Sequence, residues 1–370
     1  MSILFTPIRI GSIEASNRIA RSATGERMCS SDGRVTPLVV EFYGTLARGG
    51  VGLIITGHSF VRADGIACEG MMGVHGDRML PGLAELVRAV HLTDARIVCQ
   101  LNHAGRQTRP ELIEGKRPVA PSEVTDRASG LTPRALAAEE MEPLVESYVA
   151  AARRCREAGF DGVQLHCAHG YLMSQFISPY TNRRDDPWGG SVEARARFPL
   201  EVLRRIRAEL GGEYPVLVKL NAEDFIEEGL TLDQSCRIAA MMEREGITAI
   251  EISAGMAETV DKIVRKKIDS VDGEAYFLPY AREFRRHVRV PLISVGGYRS
   301  LSVMESAITS GAADLVALCR PLIREPDLPR KLREGASPRA ACISCNCCTR
   351  DPQGRLACAL DMQSAQSAQP

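Results

Sequence analysis

The 370-residue chain has no net charge, because 46 basic side chains are matched by 46 acidic ones. A nucleic-acid binder needs a basic footprint, so no nucleic-acid partner is expected. No apolar run reaches about 18 residues, so no membrane-spanning helix is expected either. The N-terminus, MSILFTPIRIGS, lacks the basic-then-apolar order of a secretion signal. No GxGxxG follows an apolar run, so a resident dinucleotide-binding fold is not expected. Without an export signal the expected location is cytoplasmic, where structural disulfides are rare. Seven of the 12 cysteines are scattered and read as small buried apolar residues, while five crowd into 342–358.

What is present is 45% apolar residues, enough to bury the core of one large domain or two ordinary ones. Short apolar runs recur at 18–23, 51–56, 96–101, 161–166, 215–220, 248–253, 291–295 and 313–318. Runs that are nearly continuous suit parallel strands buried on both faces. Helical punctuation lies between them. Thr36-Pro37 reads as an N-cap followed by proline at the first helical position, and Gly49-Gly50 as a stop. Leu144, Val145, Tyr148, Val149, Ala152 and Cys155 form an apolar stripe that Gly159 ends. Thr231 with Gln234 fits a capping box. Eight strand-helix alternations predict an α/β fold, a (β/α)8 TIM barrel over 1–335, with a cysteine-rich tail over 336–370. An open doubly wound sheet is the competing architecture. The tail's last residues, SAQSAQP, read as unstructured.

Helix-to-strand links are tight, but the links after strands three (102–142), four (167–195) and six (254–276) are long. Long loops in a compact domain are usually functional, and these fall at C-terminal strand ends, where barrels place chemistry. Those ends are polar. They read Ser22-Ala23-Thr24-Gly25, Thr56-Gly57-His58, Gln100-Leu101-Asn102-His103, His166-Cys167-Ala168-His169-Gly170-Tyr171 and Lys219-Leu220-Asn221. Four of the seven histidines are among them. Any one alone reads more simply as a structural group; their convergence on one rim points to chemistry. Gly296-Gly297 and Cys319-Arg320 end strands seven and eight, the usual phosphate site of such barrels. There, free backbone amides and an arginine clamp suit an anion.

With these residues in view, the sequence resembles the Old Yellow Enzyme family of flavin-dependent oxidoreductases. The resemblance rests on Asn17-Arg18-Ile19, QLNHAGR at 100–106, DGVQLHCAHGYLMSQFISPYTNRRDDPWGGS at 161–191, SVGG at 294–297 and CRPLIREPDLP at 319–329. It implies noncovalent FMN at the mouth, with NADH or NADPH as a diffusible hydride donor. Carried over, it places Ser22, Ala23, Thr24, Gly57 and Gln100 around the flavin ring. Lys219 falls beside the ring's N1/C2 side, and Gly296, Gly297, Cys319 and Arg320 at the phosphate. It makes His166 and His169 the donors to a substrate carbonyl oxygen and Tyr171 the proton donor. The implied activity is ene-reduction of a small α,β-unsaturated carbonyl compound. At the position where the family often sets a side chain against flavin O4, this chain has Gly25, with Thr24 and Cys29 nearby.

The spacing of Cys342, Cys345, Cys348 and Cys358 suits four thiolates on one [4Fe–4S] cluster or zinc ion, with free thiols as the third reading. It also resembles the cluster motif of the larger 2,4-dienoyl-CoA reductases and trimethylamine dehydrogenases. Those carry a further nucleotide-binding half, absent before Pro370, and their last cysteine comes later. A cluster would require a separate redox partner. Other readings stay open at this point: a dienoyl reductase or amine demethylase, a Schiff-base aldolase on Lys219, and a non-enzymatic barrel with a metal-binding tail. Assembly into a homo-oligomer is likewise open.

Overall fold

The computed structural model describes residues 2–367. Eight strands lie where the apolar runs predict them: β1 (Ile19–Arg21), β2 (Leu53–Ile55), β3 (Arg96–Asn102), β4 (Gly162–Cys167), β5 (Val216–Asn221), β6 (Ala249–Ser253), β7 (Leu292–Val295) and β8 (Leu315–Leu318). Each pairs in parallel with its neighbours in the chain, and β8 returns to β1. The sheet is therefore closed, which excludes the open-sheet alternative and gives the expected (β/α)8 barrel.

Side chains alternate across each strand, and the two faces do different work. Val163, Leu165 and Cys167 of β4, with Val216, Val218 and Leu220 of β5, face outward into the layer shared with the helices. Val98, Leu217, Ala249, Ile293 and Leu315 face inward and pack the barrel interior. An antiparallel hairpin, Ile8–Ile10 with Ile13–Ala15, closes the N-terminal end, and Ile10, Ile13 and Ala15 join that inner cluster. Burying each isoleucine stabilises the fold by about 1.5–3 kcal/mol. Its turn sits on Gly11, in the left-handed region at φ 58°. Sequence reasoning assigned this segment no element, because two three-residue strands are too short to show a period.

The principal barrel helices are α1 (Pro37–Arg48), α2 (Leu80–His91), α3 (Met141–Glu157), α4 (Leu172–Ile177), α5 (Val192–Leu210), α6 (Leu232–Arg244), α7 (Leu278–His287), α8 (Leu301–Thr309), α9 (Arg320–Arg324) and α10 (Leu328–Arg333). The α3 stripe is buried as its spacing predicts. Two caps differ from expectation. Thr36 precedes α1, but its hydroxyl donates to the Met28 carbonyl at 2.6 Å instead of capping. Thr231 Oγ1 accepts from the Gln234 amide, yet the Gln234 side chain turns to Arg195 Nη2, so the capping box is half made. No helix among the described residues is long and apolar enough to cross a membrane.

The cysteine tail lies against the barrel mouth. Cys342 is buried, and a hairpin follows, β9 (Cys348–Arg350) with β10 (Leu356–Cys358). Leu356 packs on the main core, and its amide donates to Met28 Sδ at 3.3 Å. A helix, Ala359–Ser367, then enters the stretch read as unstructured; residues 368–370 of that stretch lie outside the described residues.

Candidate active site at the barrel mouth

Strand parity decides which side chains reach the mouth. Moving two residues up from the inward Val98, Leu217 and Ala249 gives Gln100, Lys219 and Glu251. Register sets Gln100 beside Gln164, His166 beside Lys219, and Lys219 beside Glu251. These polar ends bond one another. Gln100 Nε2 donates to Gln164 Oε1 at 2.7 Å, and Gln164 Nε2 donates to Glu251 Oε2 at 3.0 Å. Ser22 Oγ donates to Glu251 Oε1 at 2.6 Å. Lys219 Nζ donates to Ser22 Oγ at 2.9 Å and pairs with Glu251 Oε1 at 3.1 Å. All five residues are buried. Sequence reasoning named Ser22, Gln100 and Lys219 and missed Gln164 and Glu251. Their signal was a polar residue at inward parity in the runs DGVQLH and TAIEIS.

Above this network lies a cavity of 470 Å³, a size suited to a small-molecule site. Ser22, Ala23, Thr24, Gln100 and Lys219 line its floor side. Gly297, Cys319 and Arg320 line it at the tips of β7 and β8. His166, His169 and Tyr171 line it from β4 and the loop that follows. Two expected residues are not part of the lining. Gly57 turns its amide away, donating to Tyr43 Oη at 2.7 Å and Glu26 Oε1 at 3.1 Å, and a Cβ there would strike Glu26. Gly296 packs against Phe277 and Tyr276 instead, and its carbonyl accepts from the Tyr276 amide.

The imidazoles form a tight group with Tyr171. Ring centroids of His166 and His169 lie 5.2 Å apart and nearly perpendicular, and Tyr171 lies 4.9 Å from His166 and 5.0 Å from His58. His169 sits at φ 63°, with its amide donating to Asn221 Oδ1 at 3.2 Å and its Nε2 2.7 Å from Ser253 Oγ. His166 Nδ1 is buried and has no partner. Burial, reinforced by nearby Lys219, pushes the His169 pKa down to about 3. Burial, with Arg27 and Lys219, takes His58 down to about 4. His166 falls well below the usual histidine range for the same reason, with His169 as the next contributor. At neutral pH these rings are uncharged, and each carries one N–H. Burial raises the Tyr171 pKa, so its phenol keeps its proton.

His58, a strand-two tip, is a lining residue that the sequence reading gave no role, and Asn102 Nδ2 lies 3.1 Å from its Nδ1. Gly25 lines the cavity as a gap beside it: a Cβ at Gly25 would stand 3.5 Å from His58 Nε2. Thr24 also lines the cavity and contacts Cys319 Sγ at 2.7 Å, whereas Cys29 is not in the lining. His103 is structural: it is fully buried, bonded to Asp64 at 3.3 Å and to the Gly105 amide at 3.0 Å.

The residues fit a flavin mononucleotide. Lys219, a buried cation, and Gln100, a side-chain amide, line the cavity floor, and Gly297 and Arg320 line its rim. Arg320 uses Nη1 for Arg265 O at 2.9 Å, Ser344 O at 3.3 Å and Asn346 Oδ1, which leaves Nε and Nη2 for an anion. Among the described residues no three His, Cys, Asp or Glu side chains converge as a metal-holding group. The hairpin sets Cys348 opposite Cys358, and with no such group assembled a four-thiolate centre at Cys342, Cys345, Cys348 and Cys358 is not supported.

Relatives extend this picture. The chain is 40% identical over 347 residues to an NADH oxidase of Thermoanaerobacter brockii, covering 93% of this chain and 52% of that one. It thus spans about half the length of that relative. It is 33% identical to an NADPH dehydrogenase of Bacillus subtilis, covering 88% of this chain and 93% of that one. The fold superposes on an Old Yellow Enzyme homologue from Zymomonas mobilis with a TM-score of 0.79 at 30% identity, covering 95% and 98% of the two chains. A family model spans residues 3–338, nearly the whole barrel, and the chain belongs to the NADH:flavin oxidoreductase / NADH oxidase family.

Proposed function

We propose that this protein is an FMN-dependent oxidoreductase that uses NADH or NADPH to reduce the activated C=C bond of α,β-unsaturated carbonyl compounds. The observation that carries this reading is the buried, unpartnered His166 Nδ1, set beside His169 and Tyr171 on one wall of the cavity. A buried polar atom without a partner is costly, and a ligand oxygen relieves that cost.

FMN, when bound, supplies two-electron hydride transfer between the nicotinamide and the β-carbon of the substrate. Ser22, Ala23, Thr24 and Gln100 would hold its ring, Lys219 would favour negative charge on it, and Gly297, Cys319 and Arg320 would hold its phosphate. His166 and His169 orient the substrate by its carbonyl oxygen. Their N–H groups bind that oxygen more tightly as it gains enolate character, which lowers the barrier selectively. Being neutral, the two rings do not repel each other at close range. Tyr171 Oη holds a proton at neutral pH and delivers it to the α-carbon.

The aldolase reading needs a free amine, and Lys219 is instead held by Glu251 and Ser22. The dienoyl-reductase and demethylase readings draw on a cluster that the tail geometry does not support.

The test is a visible spectrum of purified protein loaded with FMN and passed through gel filtration. Retained flavin that is bleached by NADH or NADPH and recoloured by cyclohexenone supports the proposal. Protein that keeps no flavin ends it.

A further inference from the structure

His169 is held by side chains that the reductase reading does not use. Its backbone sits in the left-handed region at φ 63°. L-residues enter that region at a cost, so neighbouring structure must hold them there. The His169 amide donates to Asn221 Oδ1 at 3.2 Å, and its carbonyl accepts from Gln107 Nε2 at 2.8 Å. Asn221 cannot turn its amide over, because Nδ2 already donates to Asp224 Oδ1 and to Gly255 O, each at 2.8 Å. The backbone is thus gripped from the tip of β5 on one side and from the loop after β3 on the other.

The imidazole is met by Ser253, the register partner of Asn221 at the tip of β6. Ser253 is buried, it lines the cavity, and its Oγ lies 2.7 Å from His169 Nε2. Among the described residues that hydroxyl has no other partner. His169 Nδ1 has no partner among them either, but unlike His166 Nδ1 it is not sealed off by protein. The ring carries one proton at neutral pH, since burial holds its pKa at about 3. That proton has two possible seats. On Nε2 it would point at Ser253 Oγ, the buried serine hydrogen would have no acceptor, and Nδ1 would present a bare lone pair to the cavity. On Nδ1 it leaves Nε2 free to accept the serine hydrogen, and the ring N–H faces open space where water or a ligand can take it. An unpaired buried polar hydrogen is costly, so the second arrangement is favoured.

We propose that Ser253 is a positioning residue that donates its hydroxyl hydrogen to His169 Nε2 and thereby seats the ring proton on Nδ1, making Nδ1–H the group that meets a ligand oxygen. Asn221 and Gln107 aim the ring, and Ser253 decides which of its nitrogens can donate. A neutral imidazole in the other tautomer would set a lone pair against the lone pairs of a carbonyl oxygen and repel it. The proton's seat follows from the protein alone. Its consequence for ligand binding rests on the carbonyl-binding role given to His169 in the proposed function.

Nitrogen-15 NMR of the full-length, FMN-loaded protein with labelled histidine tests this, with His169→Gln assigning the ring. Protonated and bare ring nitrogens resonate far apart, so the tautomer is read directly. The parent should show His169 protonated on Nδ1 and bare at Nε2. Ser253→Ala should move the proton toward Nε2 and weaken binding of a phenol, followed by flavin difference spectra, by roughly two- to tenfold, the worth of one hydrogen bond. Ser253→Thr keeps a hydroxyl and should restore both, with FMN retained in each variant. A parent ring protonated on Nε2, or a tautomer that Ser253→Ala leaves unchanged, would overturn the proposal. The parent's spectrum gives its answer even where a variant does not fold. A shifted tautomer with unaltered phenol affinity would overturn the positioning role. A parent that binds neither FMN nor phenol would defeat the functional reading, and its histidine spectrum would still decide where the proton sits.

Discussion

Lys219 Nζ lies 3.1 Å from Glu251 Oε1 at the top of the barrel interior, with side chains 3% and 0% exposed. The two are register partners on β5 and β6, so the parallel ladder itself brings them side by side. Glu251 neutralises the cation and, through its other oxygen, orders Gln164 and then Gln100. A lysine alone at that depth would be strongly disfavoured; with its carboxylate it becomes a fixed positive group facing the cavity.

Glu251→Gln keeps the shape and removes the charge, leaving Lys219 buried and unpaired. Stability should fall by about 3–5 kcal/mol, read from urea denaturation of the variant against the parent. Unchanged stability would mean that the pair is not desolvated as described.

Replacing both His166 and His169 by Ala should weaken binding of a phenolic ligand by roughly tenfold or more, since each lost hydrogen bond is worth about 0.5–1.5 kcal/mol. FMN, bound through other residues, should stay. Flavin difference spectra during phenol titration measure both. A phenol affinity equal to that of the parent would remove the oxygen-binding role from these rings.

The depressed histidines make stability depend on pH in a defined direction. Unfolded, each ring has a pKa near 6.5, whereas folded His58 and His169 have values of about 4 and about 3. As pH falls below about 6.5 the unfolded chain takes up protons that the folded chain refuses. Stability should therefore be full above that pH and decline toward pH 4, by up to about 1.4 kcal/mol per pH unit for each ring. Thermal melts of the parent and His169→Gln across this window should diverge, with the variant less pH-sensitive. Parallel curves would show that His169 titrates normally.

Tyr171→Phe removes a proton donor and leaves the cavity's shape. Flavin reduction by the nicotinamide should be unchanged, while reoxidation by an enone should slow by about 10²–10⁴-fold. Stopped-flow absorbance separates the two half-reactions. Equal slowing of both would point to a distorted cavity instead.

Much of the barrel was legible in the chain, because strands buried on both faces must be apolar along their whole length. The eight runs therefore marked eight strands, and long loops marked the active end. The polar residues at the strand tips, such as His166, Gln100 and Lys219, stood out against those runs, and all three line the cavity. Glu251 and Gln164 were hidden within apolar runs, since a single polar residue in a strand gives no hint of its partner. For Gly57 the place at a strand tip was visible, but the direction of its amide was not, because it depends on Tyr43, delivered from α1, and on Glu26.

By itself the sequence determined the repeat of strands, the end at which the polar residues gather, and the supply of imidazoles, phenol, amide and ammonium found there. Those follow from burial and from a period of two, both written residue by residue. Only the tertiary structure decided which of these groups touch, because contact between residues distant in the chain depends on strand register and closure. Register paired Lys219 with Glu251, and closure brought β8 beside β1. The tail hairpin set Cys348 against Cys358, where the cysteine spacing had pointed to four thiolates around one metal.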